Sequence, residues 1–411
     1  MLVFSNKPII SHLVFLFSIS IAVLSIAPAL FPALYSSFTS NSQIPQFVQI
    51  DYGINSFEPG IFFIPVILVS ILVLAISIII KFKSIKLPSI DFPKKYAIIS
   101  MIVILSLFTI LSYEDIFSED LHEDWKPVKH AVENWPPDVI GFGLHVRFFL
   151  LSTSFAIFGN YRVIPFLASV ALIITTYLFA SKITNNRFAG VIASAIILQS
   201  NLFLSFSSTP SYTVFWVMFY LASLYLTIHK TWFLSPFAFI LSVFSKPLSA
   251  TFFPISLFFI LDSTISVKKK IILSLTIIII IIAGTSVIGN HMSSEWDWNG
   301  FWNGFVSLSY QMRFDGLIIV FLIPTVIGLY FVSKKIRYAN TVSIMISGVL
   351  ISNPLLLAMT DITSQPYRFI PLVVFFAIGA GMLLTNQKEE KIDKKIKRDS
   401  KKIKRDSKNS K

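Results

Sequence analysis

Apolar runs follow one another along almost the whole chain, near residues 9–34, 61–81, 96–112, 162–180, 188–206, 212–228, 232–245, 248–262, 271–289, 316–333, 341–359 and 367–385. Most are about 15 to 25 residues long, enough to carry a helix across a hydrocarbon core. In lipid their backbone groups can be satisfied only within the segment, so the pattern predicts α-helices. The first run is longer than a secretory leader, lacks a small-residue cleavage site and leads into another span, so it reads as a retained helix. The expected architecture is an all-α polytopic membrane protein with about twelve spans.

One apolar stretch is set apart. Gly143 to Phe158 is short and holds His145 and Arg147, which predicts an interfacial helix lying on the membrane surface in the first large loop. Composition agrees with a lipid environment: 55% of residues are hydrophobic, 13% are charged and the mean hydropathy is +0.75. There is no cysteine, which excludes disulfides and thiolate chemistry, and the six histidines form no His-x-x-x-His pair.

The net charge of +13 would suggest a nucleic-acid partner if it were spread over a surface, but much of it lies in one tail. Residues 388–411 hold twelve Lys/Arg against five Asp/Glu and repeat Lys-Lys-Ile-Lys-Arg-Asp-Ser at 394–400 and 401–407, a solvated low-complexity segment able to touch anionic lipid. With twelve spans and both termini cytoplasmic, the other 22 basic residues divide fifteen inside to seven outside, as the positive-inside rule demands. Three regions follow: two helices and a basic loop over 1–95, a membrane core over 96–387 with outer loops 113–161 and 290–315, and the tail. The expected location is the cell membrane, with nucleic acid excluded as a partner.

Acidic residues concentrate where the third span leaves the bilayer. Eight of the chain's 21 acids lie between Glu114 and Asp138, including the pairs Glu114-Asp115, Glu119-Asp120 and Glu123-Asp124. Carboxylates at a membrane surface are partly desolvated and become better bases, and oxygens so placed, such as those of Asp120 and Asp124, could hold a divalent cation. No cofactor is required by the pattern. The loop 290–315 is aromatic, and Trp296 and Trp298 suit the C–H faces of a sugar, with Asp297, Asn299 and Asn303 placed for its hydroxyls. Lys246, Arg313 and Arg368 stand at or near span ends on the same side, as counter-charges for a lipid-linked phosphate.

Four features resemble the GT-C membrane glycosyltransferases, in particular the dolichyl-phosphate-mannose protein mannosyltransferases and related polyprenyl-phosphate sugar transferases. An acidic pair follows a span in the first outer loop. An interfacial helix ends in Ile157-Phe158-Gly159-Asn160, and Arg162-Val163-Ile164-Pro165-Phe166-Leu167-Ala168-Ser169 opens the next span. Phe244-Ser245-Lys246-Pro247 is similar to the Leu-Thr-Lys-Gly-Pro corner of that group, and Tyr367-Arg368-Phe369-Ile370-Pro371 to its Arg-Tyr-Leu-Leu-Pro entry to a final span. The match covers roughly half the chain. Where the family has His-Pro-Pro or Lys-Pro, this chain has Leu144-His145-Val146, which makes His145 a substrate-side candidate.

The resemblance implies a sugar carried on a polyprenyl phosphate and moved at the extracytoplasmic face to a hydroxyl of a protein or glycan. The first-loop carboxylate is its base. Counting back from Trp135 selects Glu119 and Asp120, and counting back from Gly159 selects Glu114 and Asp115; the expected order is Asp120, then Asp115. A transporter or flippase and a non-catalytic membrane partner are the rival classes. The spans carry little charge and show no internal repeat, which counts against transport.

Overall fold

The computed structural model describes residues 8–31, 63–83, 90, 92–117, 128–130, 132, 146–210, 213–288, 296–312, 315–333, 336–359 and 366–384. Within them the chain is helix and turn, without a strand. The helices are α1 (Pro8–Leu30), α2 (Phe63–Lys83), α3 (Lys94–Phe117), α4 (Val146–Phe158), α5 (Val163–Thr184), α6 (Arg187–Leu198), α7 (Asn201–Phe206) and α8 (Thr213–Thr227). They continue with α9 (Ser235–Ser245), α10 (Phe253–Asp262), α11 (Val267–Ile288), α12 (Trp298–Met312), α13 (Gly316–Val332), α14 (Ala339–Met359) and α15 (Ile370–Leu383). Single 3-10 turns at Trp232–Leu234, Pro247–Phe252 and Pro366–Phe369 lead into α9, α10 and α15.

Among the described residues five helices, α1, α2, α3, α5 and α14, contain windows long and apolar enough to cross a bilayer, and shorter apolar helices pack among them. Their surfaces separate into two kinds. On α2, Ile64, Leu68, Ile71, Leu72 and Ile79 are all exposed, and α3 and α11 present similar rows of isoleucine. No water-soluble surface carries apolar area of that extent, so these faces meet lipid tails. α15 is the opposite case: Ile370 to Ile378 are buried almost without interruption, because α5, α6, α8, α13 and α14 pack around it. A helix apolar on every side belongs at the centre of a bundle.

Polar contacts tie the loops at each end. At one end, the Asn186 amide donates to Ile90 O at 2.8 Å and Asn340 to Ser11 at 3.0 Å, while Arg337 donates to the Asp262 and Ser263 carbonyls at 2.6 and 3.1 Å. Asn185 in the left-handed conformation (φ 52°) closes α5, and the Asn186 side chain caps α6, so two residues reverse the chain. At the other end, the Ser112 and Ser207 hydroxyls meet at 3.3 Å, and Asn160 donates to Ile116 O at 2.8 Å.

Several expected elements take a different form. The run 188–206 is not one helix: it stops at Leu198, and Ser200 caps the separate short helix α7 by accepting the Phe203 N–H at 3.1 Å. The runs 232–245 and 248–262 each begin with a 3-10 turn. The stretch expected as interfacial is a helix from Val146 to Phe158, ended by Gly159 at φ 65° and packed against α5 and α9. The expected aromatic loop 290–315 is largely helix, α12, which runs antiparallel to α14 from Asp297 beside Ala358 to Gly304 beside Asn353.

Candidate functional site

Three chain reversals converge at the end of the bundle where α3 finishes. In the first, Pro247 forces the residue before it out of helical geometry, so Lys246 is extended (φ −154°, ψ 118°) and terminates α9. Its carbonyl accepts the Ser249 N–H at 2.9 Å, which starts the 3-10 turn. The Lys246 side chain is 8% exposed, and its ammonium lies 5.9 Å from the ring centre of Tyr367, within the range of a cation–π contact.

The second reversal is Pro366–Phe369, a 3-10 turn with Pro371 at the entry to α15. Tyr367 is buried, and its ring meets Phe206 edge-on at 6.1 Å. Arg368 is half-buried; its Nε and Nη1 are buried and have no hydrogen-bond partner among the described residues.

The third reversal joins α4 to α5. Arg162 is 8% exposed and donates from Nη1 to the Asp115 carbonyl at 2.8 Å. A cation fixed on the last turn of α3 is favoured by the partial negative charge of a helix C-terminus. Asp115 is half-buried and Glu114 exposed. One turn below, Ser112 meets Ser207, which follows Phe206. A continuous line of contacts therefore runs from the acidic end of α3 through Ser207 and Phe206 to Tyr367 and Lys246.

Buried polar groups in need of partners cluster around this line. Trp216 Nε1, Ser208 Oγ and Ser249 Oγ are buried without a partner among the described residues, as are the two Arg368 nitrogens. Trp216 packs on Phe252 at 5.3 Å, and its carbonyl takes the Ser242 hydroxyl at 2.9 Å, so the indole is fixed. Indole and guanidinium nitrogens can only donate. Leaving such a group buried and unmet costs about 1–3 kcal/mol, a cost that an anionic oxygen ligand would remove.

Of the residues singled out in the sequence, Lys246, Arg368 and Asp115 come to this end together, with Glu114 exposed beside them. Glu119, Asp120, Asp124, His145 and Arg313 lie outside the described residues. Trp296 and Trp298 are exposed at the start of α12, which packs against the Arg368 turn. Among the described residues no three His, Asp or Glu side chains gather as a metal site.

In the sequence Arg162 stands out only as the first residue of the motif that opens a span, with no site role, and Trp216, Ser208, Ser249 and the pair Ser200–Asp315 do not stand out at all. Asp315 is 3% exposed, accepts the Ser200 hydroxyl and caps α13, while Ser200 caps α7. Ser and Asp at the starts of apolar runs are cap signals, legible in Ser200-Asn201-Leu202 and Asp315-Gly316-Leu317. Nothing in linear order marks Trp216 or Ser249.

Comparison of the chain with protein-family models, curated proteins and solved structures finds no match. Its class rests on the fold: a polytopic helical membrane protein with a buried, cation-bearing corner at one end of its bundle.

Proposed function

We propose that the protein is a membrane glycosyltransferase that moves a sugar from a polyprenyl-phosphate donor to an acceptor hydroxyl at the extracytoplasmic face. The reading rests on one observation: the buried ammonium of Lys246 shares one membrane end, on contacting segments, with Arg368, Trp216, Ser208 and Ser249, whose buried side-chain donors have no hydrogen-bond partner among the described residues. A phosphate monoester supplies acceptors for the donors of those four residues and a counter-charge for Lys246. Its polyprenyl tail lies against the apolar helix faces, and the bilayer itself is the second partner. GT-C transferases, which four motifs of this chain resemble, combine the same elements.

In the proposed step a carboxylate of the first outer loop takes the acceptor's hydroxyl proton while the acceptor oxygen bonds to the anomeric carbon. The bond from that carbon to the phosphate oxygen breaks, and the electron pair leaves with the polyprenyl phosphate. Attack from the opposite face inverts the configuration. Asp120 is the preferred base and Asp115 its alternative. Lys246 and Arg368 stabilise the charge that develops on the leaving phosphate. Fixed cations suffice for a single phosphate, so a divalent cation bound by Asp120 and Asp124 is optional.

A specific feature favours a second reading, transport of a lipid-linked or small substrate. α6 breaks at Gln199–Ser200 beside the buried Asp315, and broken helices next to an ionisable group are frequent in transporters. Purified protein in vesicles with a radiolabelled polyprenyl-phosphate sugar and a membrane acceptor fraction separates the two. Transfer releases polyprenyl phosphate and labels the acceptor; a flippase moves the intact donor between leaflets. Movement without cleavage overturns the transferase.

A further inference from the structure

The exposed side of α12 combines features that neither the bundle core nor a membrane anchor needs. α12 is pressed onto α14 at two glycines: a Cβ on Gly300 would fall 2.3 Å from the Leu357 carbonyl oxygen, and one on Gly304 would fall 2.4 Å from Pro354 Cα. The Asp297 N–H bonds to Ala358 O at 2.9 Å and the Asn353 amide to Gly304 O at 2.7 Å. These contacts fix the rotation of the helix about its axis. Phe305, Leu308 and Met312 turn inward, and Trp298 and Trp302 are left 65% and 43% exposed.

The two indoles are one helical turn apart, about 6 Å along the axis. Phe301 sits between them, edge-on to Trp298 at 6.0 Å and to Trp302 at 5.4 Å. With Trp296 also edge-on to Trp298 at 5.5 Å and Phe305 6.1 Å from Trp302, this packing orients both indoles while leaving each of them partly exposed. The polar neighbours are Asn299 and Asp297, both exposed, the Asp297 carboxylate also accepting the Asn299 and Gly300 N–H groups at 2.8 and 2.9 Å, and no Lys or Arg occurs between 296 and 312. A helix that anchors in a bilayer surface typically pairs Trp with Lys or Arg that meet lipid phosphate. Amide and carboxylate groups beside open indoles suit sugar hydroxyls and C–H faces instead. α12 also packs against the turn that carries Arg368, which brings this helix beside the candidate site.

We infer that the Trp298–Trp302 face of α12 is a carbohydrate platform holding a neutral oligosaccharide, the growing end of the acceptor. The role as acceptor rests on the transfer reaction proposed above; the binding does not. The platform thereby narrows the acceptor from any hydroxyl to one carried on a glycan chain, with two successive rings engaging the two indoles.

The test uses the full chain in nanodiscs without donor, titrated with mannotetraose, maltotetraose and chitotetraose and followed by saturation-transfer NMR and calorimetry. At least one tetrasaccharide binds saturably, and Trp298→Ala/Trp302→Ala weakens it tenfold or more, while Trp232→Phe at the opposite end leaves it unchanged. Brominated lipids quench the indoles no more in wild type than in the double variant. Absence of saturable binding by all three probes, binding retained in the double variant, or quenching that the double variant abolishes each overturns the platform. Oligosaccharide binding without any transfer sinks the transferase alone, and normal transfer by the double variant sinks the platform alone.

Discussion

Lys246 and Tyr367, far apart in sequence, meet with the ammonium 5.9 Å from the ring centre, and this contact joins the corner that ends α9 to the corner that opens α15. Each corner exists because a proline follows: Pro247 holds Lys246 extended, and Pro371 follows the turn that carries Arg368. The ring of Tyr367 then touches Phe206 on its way to the acidic end of α3. Two proline-set reversals thus bring two cations to one end of the bundle without placing either inside a span.

If these cations stabilise a leaving phosphate, their removal lowers turnover rather than only donor affinity. Lys246→Met and Arg368→Gln keep side-chain volume and should each lower kcat/KM for a polyprenyl-phosphate sugar by about 10²-fold, the scale for losing one electrostatic stabiliser of a transition state. The double variant should lose less than the product of the single effects, because both act on one group. Steady-state kinetics on the four proteins checks this; wild-type kinetics in both single variants would remove the phosphate seat.

The fit of α12 on α14 makes a stability prediction. At Gly304 an added methyl meets backbone atoms of Pro354, not a side-chain tip that could move aside. Gly304→Ala should therefore destabilise the protein by about 1–3 kcal/mol and lower the thermal midpoint by several degrees in the same detergent. Asn299→Ala, at an exposed position on the same helix, should change it little. An unchanged midpoint for Gly304→Ala would mean the two helices are not in register.

The helices themselves were legible because lipid leaves few options: a long apolar run must be helical, whatever its neighbours. The corners at Lys246 and Arg368 were legible through proline. α12 was not, since Gly300, Gly304, Asn299 and Asn303 weaken helix propensity and read as a loop; only contact with α14 explains why glycines are favoured there. The break between α6 and α7 was hidden for a different reason. Ser200 interrupts an apolar run that hydropathy sees as continuous, and its partner Asp315 is remote in sequence. Trp216 and Ser249 were invisible because an unmet donor is a property of packing.

Topology is open to direct labelling in a chain without cysteine. Ser118→Cys, just beyond α3, should react with an impermeant maleimide added to intact cells. Ser266→Cys, in the exposed turn before α11, should react only after permeabilisation. Reaction of Ser266→Cys alone from outside would reverse the assignment of sides and move the candidate site to the cytoplasm; reaction of both would put the two positions on one side and overturn the twelve-span topology.

The repetitive tail makes no sequence-level claim on the site. Deleting residues 388–411 should leave transfer by the purified protein within about twofold of wild type and reduce adsorption to anionic vesicles, each basic residue near such a surface contributing about 1 kcal/mol. Loss of transfer in a truncated protein with a normal thermal midpoint would show that the tail takes part in the reaction.

The chemistry itself turns on which carboxylate is the base. Asp115 is half-buried on the last turn of α3, where Arg162 holds its carbonyl and Ser112 meets Ser207 one turn below; Asp120 follows five positions later in the sequence. Asp120→Asn should keep donor binding and lose transfer by about 10²-fold or more, the usual scale for removing a general base. Asp115→Asn should leave transfer close to wild type if Asp120 is the base. The reverse pattern assigns the role to Asp115 and makes Arg162 its positioning residue, in which case Arg162→Ala lowers kcat with little change in KM and Arg162→Lys restores part of it. Donor binding is read separately, by equilibrium dialysis of the polyprenyl-phosphate sugar in detergent, so that a folding defect is not mistaken for lost chemistry. Asn replacements at Glu114, Asp115, Glu119, Asp120, Glu123 and Asp124, singly and together, that all retain normal transfer would reduce the acidic segment to a solvated loop and leave the phosphate seat without a base beside it.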